Sequence, residues 1–194
     1  MRADRQFARA AWPLAAAAAA AVGCAAPPQP DPTERVAASY NAGTGRLEKI
    51  TYDRNNDGRP DAWAFMDGTR ITRAELDENF DGRADRWEFY ADAGTSPSTA
   101  VLARVEQATR PDGKVARWET YEDGRLASAE EDTDGDGRPD KWETWEAGAL
   151  RSMALDTTGR GTADRRFIYP PDGSAARLEV DPDDTGHLRS DRRQ

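Results

Sequence analysis

Residues 118–132 read WETYEDGRLASAEED, and this stretch sets the architecture of the chain. An aromatic run (Trp118 to Tyr121) and a run ending at Asp132 flank the dipeptide Asp123-Gly124. Asp-Gly between two such runs marks a tight β-hairpin, because both central residues of the favoured turn need positive φ. The pattern recurs. Asp67-Gly68 and Asp172-Gly173 stand between comparable runs, with Ala147-Gly148 as a weaker version.

Self-alignment gives six units, whose first loop positions are Asp53, Asp77, Ala108, Asp132, Asp156 and Asp181. The spacings are 24, 31, 24, 24 and 25 residues, the long one containing the insertion AGTSPSTA, which reads as an extended loop. Each unit runs from an Asp-rich turn to an aromatic strand, a tight turn and a second strand. Trp63, Trp87, Trp118 and Trp142 share one strand position, and Met66, Tyr90, Tyr121, Trp145 and Tyr169 another. On the second strand Leu47, Ile71, Leu102, Leu126 and Leu150 correspond, as do Ile50, Ala74, Val105, Ala129, Met153 and Leu178. These positions predict an all-β fold, a meander or solenoid of about six hairpins with the aromatics packed between neighbours. Only 37% of the chain is apolar, too thin for a thick core and enough for units that each bury little.

Three connecting turns carry D-x-[DN]-x-D-G-x-x-D. They are Asp53, Asn55, Asp57, Gly58, Asp61; Asp77, Asn79, Asp81, Gly82, Asp85; and Asp132, Asp134, Asp136, Gly137, Asp140. Ca2+ is a hard cation that takes about 6–8 oxygens, and alternating oxygen-bearing side chains on a curled loop converge on it. The glycine permits the turn, and the seventh residue (Arg59, Arg83 or Arg138) offers its backbone carbonyl. Carboxylates crowded in one short loop repel one another unless a cation sits among them. Magnesium prefers fewer protein ligands, and transition metals want His or Cys. The sole histidine, His187, stands alone near the C-terminus.

This pattern resembles the calcium loops of EF-hand, dockerin and thrombospondin type 3 repeats. The resemblance implies Ca2+ as the bound ion, and a closing twelfth-position Glu, which here falls on Glu88 and Glu143, while the first unit has Ala64. Glu119 occupies the same place in a unit without an Asp loop, so this Glu also reads as an ordinary strand residue. The flanks read as strands rather than the helices of an EF-hand. The remaining turns are eroded: Arg160 and Thr158 follow Asp156, Arg189 ends the turn of Asp181, Asp183, Thr185 and Gly186, and the turn at Ala108, Arg110 and Asp112 reads as metal-free. A second resemblance, of segments such as YEDGRLASAEED to the YD repeats of bacterial Rhs-type shells and to MORN-type repeats, implies stacked hairpins without catalysis.

The N-terminus has its own pattern. MRADRQFAR (1–9) is basic and AAWPLAAAAAAAV (10–22) apolar. Thirteen helical residues span about 20 Å, short of the ~30 Å hydrocarbon layer, so the run reads as a signal peptide. It ends Ala21-Val22-Gly23-Cys24, which resembles the bacterial lipobox, with Ala21 where that family usually has Leu. The resemblance implies a lipidated (palmitoylated) Cys24 and, with Ala25 following, an outer-membrane lipoprotein of the cell envelope. The expected organisation is a signal peptide at 1–23, a Pro/Ala-rich tether at 24–39, the repeat domain at 40–181 and a charged tail at 182–194.

Composition bounds the function. Beyond residue 23 the chain has 24 basic and 35 acidic residues, a net −11, which repels nucleic acid and anionic membrane surfaces. The membrane is then reached through the lipid anchor alone. No Ser-His-Asp set can be assembled, so the expectation is a non-enzyme: a calcium-binding surface module of structural or binding role. The alternatives are a scaffold or immunity-like partner for an envelope protein or glycan, without functional calcium, and a carboxylate-dependent glycan hydrolase.

Overall fold

The computed structural model describes residues 35–92, 100–181 and 187–190. They form one antiparallel sheet in which every strand pairs with its neighbours in sequence. The strands are β1 (Val36–Tyr40), β2 (Leu47–Tyr52), β3 (Ala62–Asp67), β4 (Arg70–Leu76), β5 (Arg86–Asp92), β6 (Ala100–Gln107) and β7 (Arg117–Glu122). They continue as β8 (Arg125–Glu131), β9 (Lys141–Glu146), β10 (Ala149–Leu155), β11 (Arg165–Ile168), β12 (Arg177–Val180) and β13 (Arg189–Ser190). The all-β expectation holds, as the meander of its two versions.

The sheet starts at Val36, inside the stretch read as a tether, and β13 falls in the stretch read as a tail. Both edge strands lack the tryptophan position of the units between them, although Tyr40 at the end of β1 pairs with Leu47 after a register shift, as the inner aromatics do with theirs. Residues 1–23, read as a signal peptide, and Cys24 lie outside the described residues, as do 93–99 of the insertion and 182–186 of the last turn.

Turn chemistry departs from the dipeptide reading in two hairpins. Asp123 and Gly124 (φ 50° and 73°) are the two turn residues joining β7 to β8, and Ala147 and Gly148 (φ 51° and 78°) join β9 to β10. Between β3 and β4, however, Asp67 pairs with Arg70 and the turn residues are Gly68 and Thr69. Asp172-Gly173 belongs to a longer connection, closed by Gly173 N–H donating to the Pro170 carbonyl at 3.3 Å. The two prolines at 170 and 171 withhold the N–H groups a tight ladder needs.

The register orders the side chains into rows. Trp63, Glu75, Trp87, Glu106, Trp118, Glu130 and Trp142 are successive cross-strand partners, and so occupy one face. Beside them Phe65, Arg73, Phe89 and Arg104 form a second row, with Arg73 4.2 Å from the Phe65 ring centre and Arg104 4.3 Å from that of Phe89. The opposite face pairs Met66 with Ile71, Tyr90 with Leu102, Tyr121 with Leu126 and Trp145 with Leu150. A register shift recurs just before Met66 in β3, Tyr90 in β5 and Tyr121 in β7, so the units repeat in their bulges as well as their residues.

The sheet has one layer. Among the described residues only Val105, Ala116, Ala129 and Ala154 are buried apolar side chains. The four tryptophans of the long row are half-buried, packed sideways within one sheet. Such a layer lacks a second apolar face to bury against, so stabilisation passes to lateral contacts between long side chains. Charged groups do much of this. Arg117 meets Glu119, Glu131 and Glu143 at 2.9, 3.2 and 3.2 Å, and Lys141 meets Glu131 and Glu143 at 3.1 and 2.8 Å.

Candidate metal loops along one edge

The meander sends the tight turns to one edge of the sheet and the Asp-rich turns to the other. Loops 53–61, 77–85, 132–140 and 156–164, with the turn 108–116, therefore stand side by side. Each is closed by one backbone bond across its neck: Asp61 to Tyr52, Asp85 to Leu76, Ala116 to Gln107, Asp140 to Glu131 and Asp164 to Leu155, at 2.9 Å in every case. Each is also tied to its successor. Asp77 N–H donates to the Asp61 carbonyl (2.8 Å), Ala108 to Asp85 (2.7 Å), Asp132 to Ala116 (2.8 Å), Asp156 to Asp140 (2.8 Å) and Asp181 to Asp164 (2.9 Å).

Inside each acidic loop the side chains repeat a single bonding frame. The first-position carboxylate accepts the sixth-position glycine N–H: Gly58 to Asp53 at 2.8 Å, Gly82 to Asp77 at 2.7 Å and Gly137 to Asp132 at 2.9 Å. The third position accepts the N–H of the fifth, at 3.0, 2.9 and 3.0 Å on Asn55, Asn79 and Asp134. The fifth accepts that of the seventh, at 2.8, 2.9 and 2.8 Å on Asp57, Asp81 and Asp136. The ninth, Asp61, Asp85 or Asp140, reaches back to the N–H groups of the second and third. Three of these acids are buried, Asp61, Asp77 and Asp132.

The curl depends on left-handed backbone at two positions. The sixth is always glycine, with φ of 88°, 91° and 91° at Gly58, Gly82 and Gly137. The fourth is Asn56 (62°), Phe80 (62°) or Gly135 (92°). Phenylalanine is a costly occupant of that region. Its exposed ring lies 5.6 Å from the Arg54 guanidinium of the preceding loop, a contact that favours the side chain where the backbone does not.

In loop 132–140 the frame leaves oxygens of the first, third and fifth residues facing one another. Asp132, Asp134 and Asp136 present carboxylate oxygens all within 4.8 Å of each other. Loops 53–61 and 77–85 present the same positions with Asn in the middle. An all-oxygen, partly anionic donor set on a glycine-hinged loop matches the chemistry of a hard divalent cation. Burial works to raise the Asp132 carboxyl, but a hydrogen bond from Arg110 and backbone donors at Gly135 and Gly137 outweigh it and hold the group below the usual carboxylate range. It therefore stays ionised.

Glu88 and Glu143 are placed otherwise. Glu88 accepts Arg86 Nε at 2.8 Å and the Tyr90 hydroxyl at 2.5 Å, one on each oxygen. Glu143 meets Lys141 at 2.8 Å through Oε1, and through Oε2 Arg117 at 3.2 Å and Trp145 Nε1 at 3.3 Å. Glu119 has the same surroundings, Arg117 and Tyr121, without any acidic loop before it. The strand reading describes all three: an alternating Arg/Lys-x-Glu-x-Tyr/Trp face, with both oxygens engaged by strand neighbours. The signal was present in Arg86, Arg117 and Lys141, each two residues before its Glu.

Loop 156–164 repeats the frame with the middle acids gone. Asp156 still holds Gly159 and Gly161 N–H groups at 2.8 and 2.5 Å, and Asp164 still holds Thr157 N–H at 2.7 Å. The turn 108–116 keeps the neck bond but not the frame: within it Gly113 N–H donates to the Arg110 carbonyl at 3.2 Å and Lys114 N–H to Asp112 at 3.1 Å. No helix among the described residues is long and apolar enough to cross a membrane.

No family model and no curated protein matches the chain. Among solved structures it is similar to a chain in the crystal structure of a GtfA/B complex bound to UDP and GlcNAc, at 14% identity and TM-score 0.38, covering 56% of this chain and 22% of that one. It is also similar to a chain in the crystal structure of accessory secretory protein 1,2 and 3 in Streptococcus pneumoniae, at 14% identity and TM-score 0.31, covering 63% and 19%. The chain thus spans about a fifth of the length of these structures.

Proposed function

We propose that the protein is a calcium-binding, lipid-anchored repeat protein of the cell envelope, with a structural or binding role and no catalysis. The observation that carries the reading is the convergence of Asp132, Asp134 and Asp136 on a glycine-hinged frame that Asp53, Asn55, Asp57 and Asp77, Asn79, Asp81 share. These residues, with the carbonyls of Arg59, Arg83 and Arg138, would hold the ion. Bound calcium neutralises their carboxylates and ties each loop to the sheet edge. Asp61, Asp85 and Asp140 orient the loop backbone through their own hydrogen bonds.

Cys24 carries the anchor in this reading, and the outer membrane is its site. An envelope protein or glycan is the kind of partner an open sheet of this length suits. The test is thermal unfolding of the chelator-stripped protein. Calcium at 100 times its dissociation constant adds about 2.7 kcal/mol per bound site, and dissociation constants of about 10⁻⁴–10⁻³ M are usual for extracellular modules. A melting temperature that rises in millimolar calcium and reverts on chelation supports the proposal. An identical melt in both conditions rejects it.

A further inference from the structure

The turn 108–116 has no acid at its first, third or ninth position, and its third residue, Arg110, takes the place that Asn55, Asn79 and Asp134 hold in the acidic loops. Its guanidinium reaches across to the next loop. Nη2 donates to the Asp132 backbone carbonyl and lies 3.0 Å from Asp132 Oδ1. Gly135 opens the space, since a Cβ there would stand 2.5 Å from Arg110 Nη1. The Asp132 side chain is only 5% exposed, so the contact is sheltered from solvent.

The charge count explains why this loop receives a cation. At positions one, three, five and nine, loops 53–61 and 77–85 each carry three carboxylates and one Asn, whereas 132–140 carries four carboxylates. Arg110 offsets the extra one. It does so on an oxygen that also accepts Gly135 N–H at 2.6 Å, so that atom has little capacity left. Asp53 and Asp77 accept backbone N–H groups instead.

We infer that Arg110 is a tethered cation that sets the order in which the loops take calcium. Loops 53–61 and 77–85 fill first, and an ion entering 132–140 must displace the guanidinium from Asp132. This rests on the calcium reading above and specifies how its three sites differ.

The experiment is calorimetric titration of calcium chloride into the full chain, stripped by chelator, as wild type and as Arg110→Met, which keeps the alkyl stem. Wild type is expected to show two equivalent tight sites and a third about tenfold weaker, the scale of one charge-assisted hydrogen bond. Arg110→Met is expected to bring the third within about threefold of the others, on the same scale. Three equal sites in wild type, or a third site left weak in Arg110→Met, overturns the inference and leaves the calcium reading standing. A second variant, Asp134→Ala with Asp136→Ala, is expected to abolish only the weak phase; loss of a tight phase instead overturns the assignment. No calcium binding by any of the proteins overturns the calcium reading itself.

Discussion

Replacing Arg117 by Met tests whether the charged network, rather than an apolar core, holds the middle of this sheet. Arg117 contacts three carboxylates at 2.9–3.2 Å with its side chain 17% exposed, and Glu119 and Glu143 are buried. One such pair at about 4 Å is worth ~4 kcal/mol at an effective dielectric of 20, before desolvation and mutual repulsion of the acids are set against it. Removing one partner of a fully buried pair costs about 3–5 kcal/mol. Lys141 still serves Glu131 and Glu143, so the acid that loses its direct ion pair is Glu119, with the Tyr121 hydroxyl and the nearby Arg86 charge remaining. The expected loss is therefore about 2–3 kcal/mol at neutral pH, at or below the lower end of that range because Glu119 keeps other partners.

Urea unfolding followed by tryptophan fluorescence measures the loss, because the tryptophans are spread across the sheet. Arg46→Met is the control: its pair with Asp67 is half exposed on both sides, and exposed pairs contribute about 0–1 kcal/mol. Acid supplies a second check. Burial would raise the Glu143 carboxyl, but Lys141 and Arg117 hold it below the ordinary carboxylate range. A depressed folded value contributes stability above the unfolded pKa of about 4.3 and loses it as pH falls through the folded value. The wild-type advantage over Arg117→Met must then shrink below about pH 4. A neutral-pH loss equal to that of the Arg46 control would refute the account.

Three further outcomes follow from the same contacts. Burial and the hydrogen bond to Glu88 push the Tyr90 hydroxyl up to about 12, so its contribution is complete below the unfolded value and is lost as pH rises from there through 12. Tyr90→Phe flattens that alkaline limb of the unfolding curve. Ala147, at φ 51° in a turn that favours Asn or Gly, gains about 0.5–1 kcal/mol as Ala147→Asn, read as a higher urea midpoint with unchanged slope. Loop 156–164 has the frame without the ligands, so Thr158→Asp with Arg160→Asp adds one calcium equivalent in the same calorimetric titration; unchanged stoichiometry denies that the middle acids define a site.

The sequence announced the units clearly because each function of a repeat falls on a fixed position. Asp and Gly in register marked the loops, and aromatic-polar alternation marked the strands, so the order of elements was readable from WETYEDGRLASAEED alone. The number of layers was not. Half-buried aromatics occur both in stacked hairpins and in one sheet packed sideways, and only the pairing of Trp63 through Glu75 to Trp87 distinguishes them. The twelfth-position Glu carries two readings for a related reason: a loop motif counted by spacing continues into the strand, where Arg86 or Lys141 on the same face pairs with the residue. Edge strands β1 and β13 escaped notice because pairing, rather than composition, places them in the sheet.

The loops separate two roles that the motif had joined. Positions one, four, six and nine build the curl, since Asp156, Gly159, Gly161 and Asp164 reproduce it with Thr158 and Arg160 between them. Positions three and five add nothing that the curl requires, and there Asn55, Asp57, Asn79, Asp81, Asp134 and Asp136 place polar oxygens side by side. In a metal-free chain that arrangement is a net cost, because clustered carboxylates repel and the same turn forms without them. Arg110 stands where the acids are most numerous, 3.0 Å from Asp132 Oδ1. In loops 53–61 and 77–85 backbone N–H groups are the partners of Asp53 and Asp77, and under the calcium reading proposed above the ion supplies there the positive charge that Arg110 brings to 132–140.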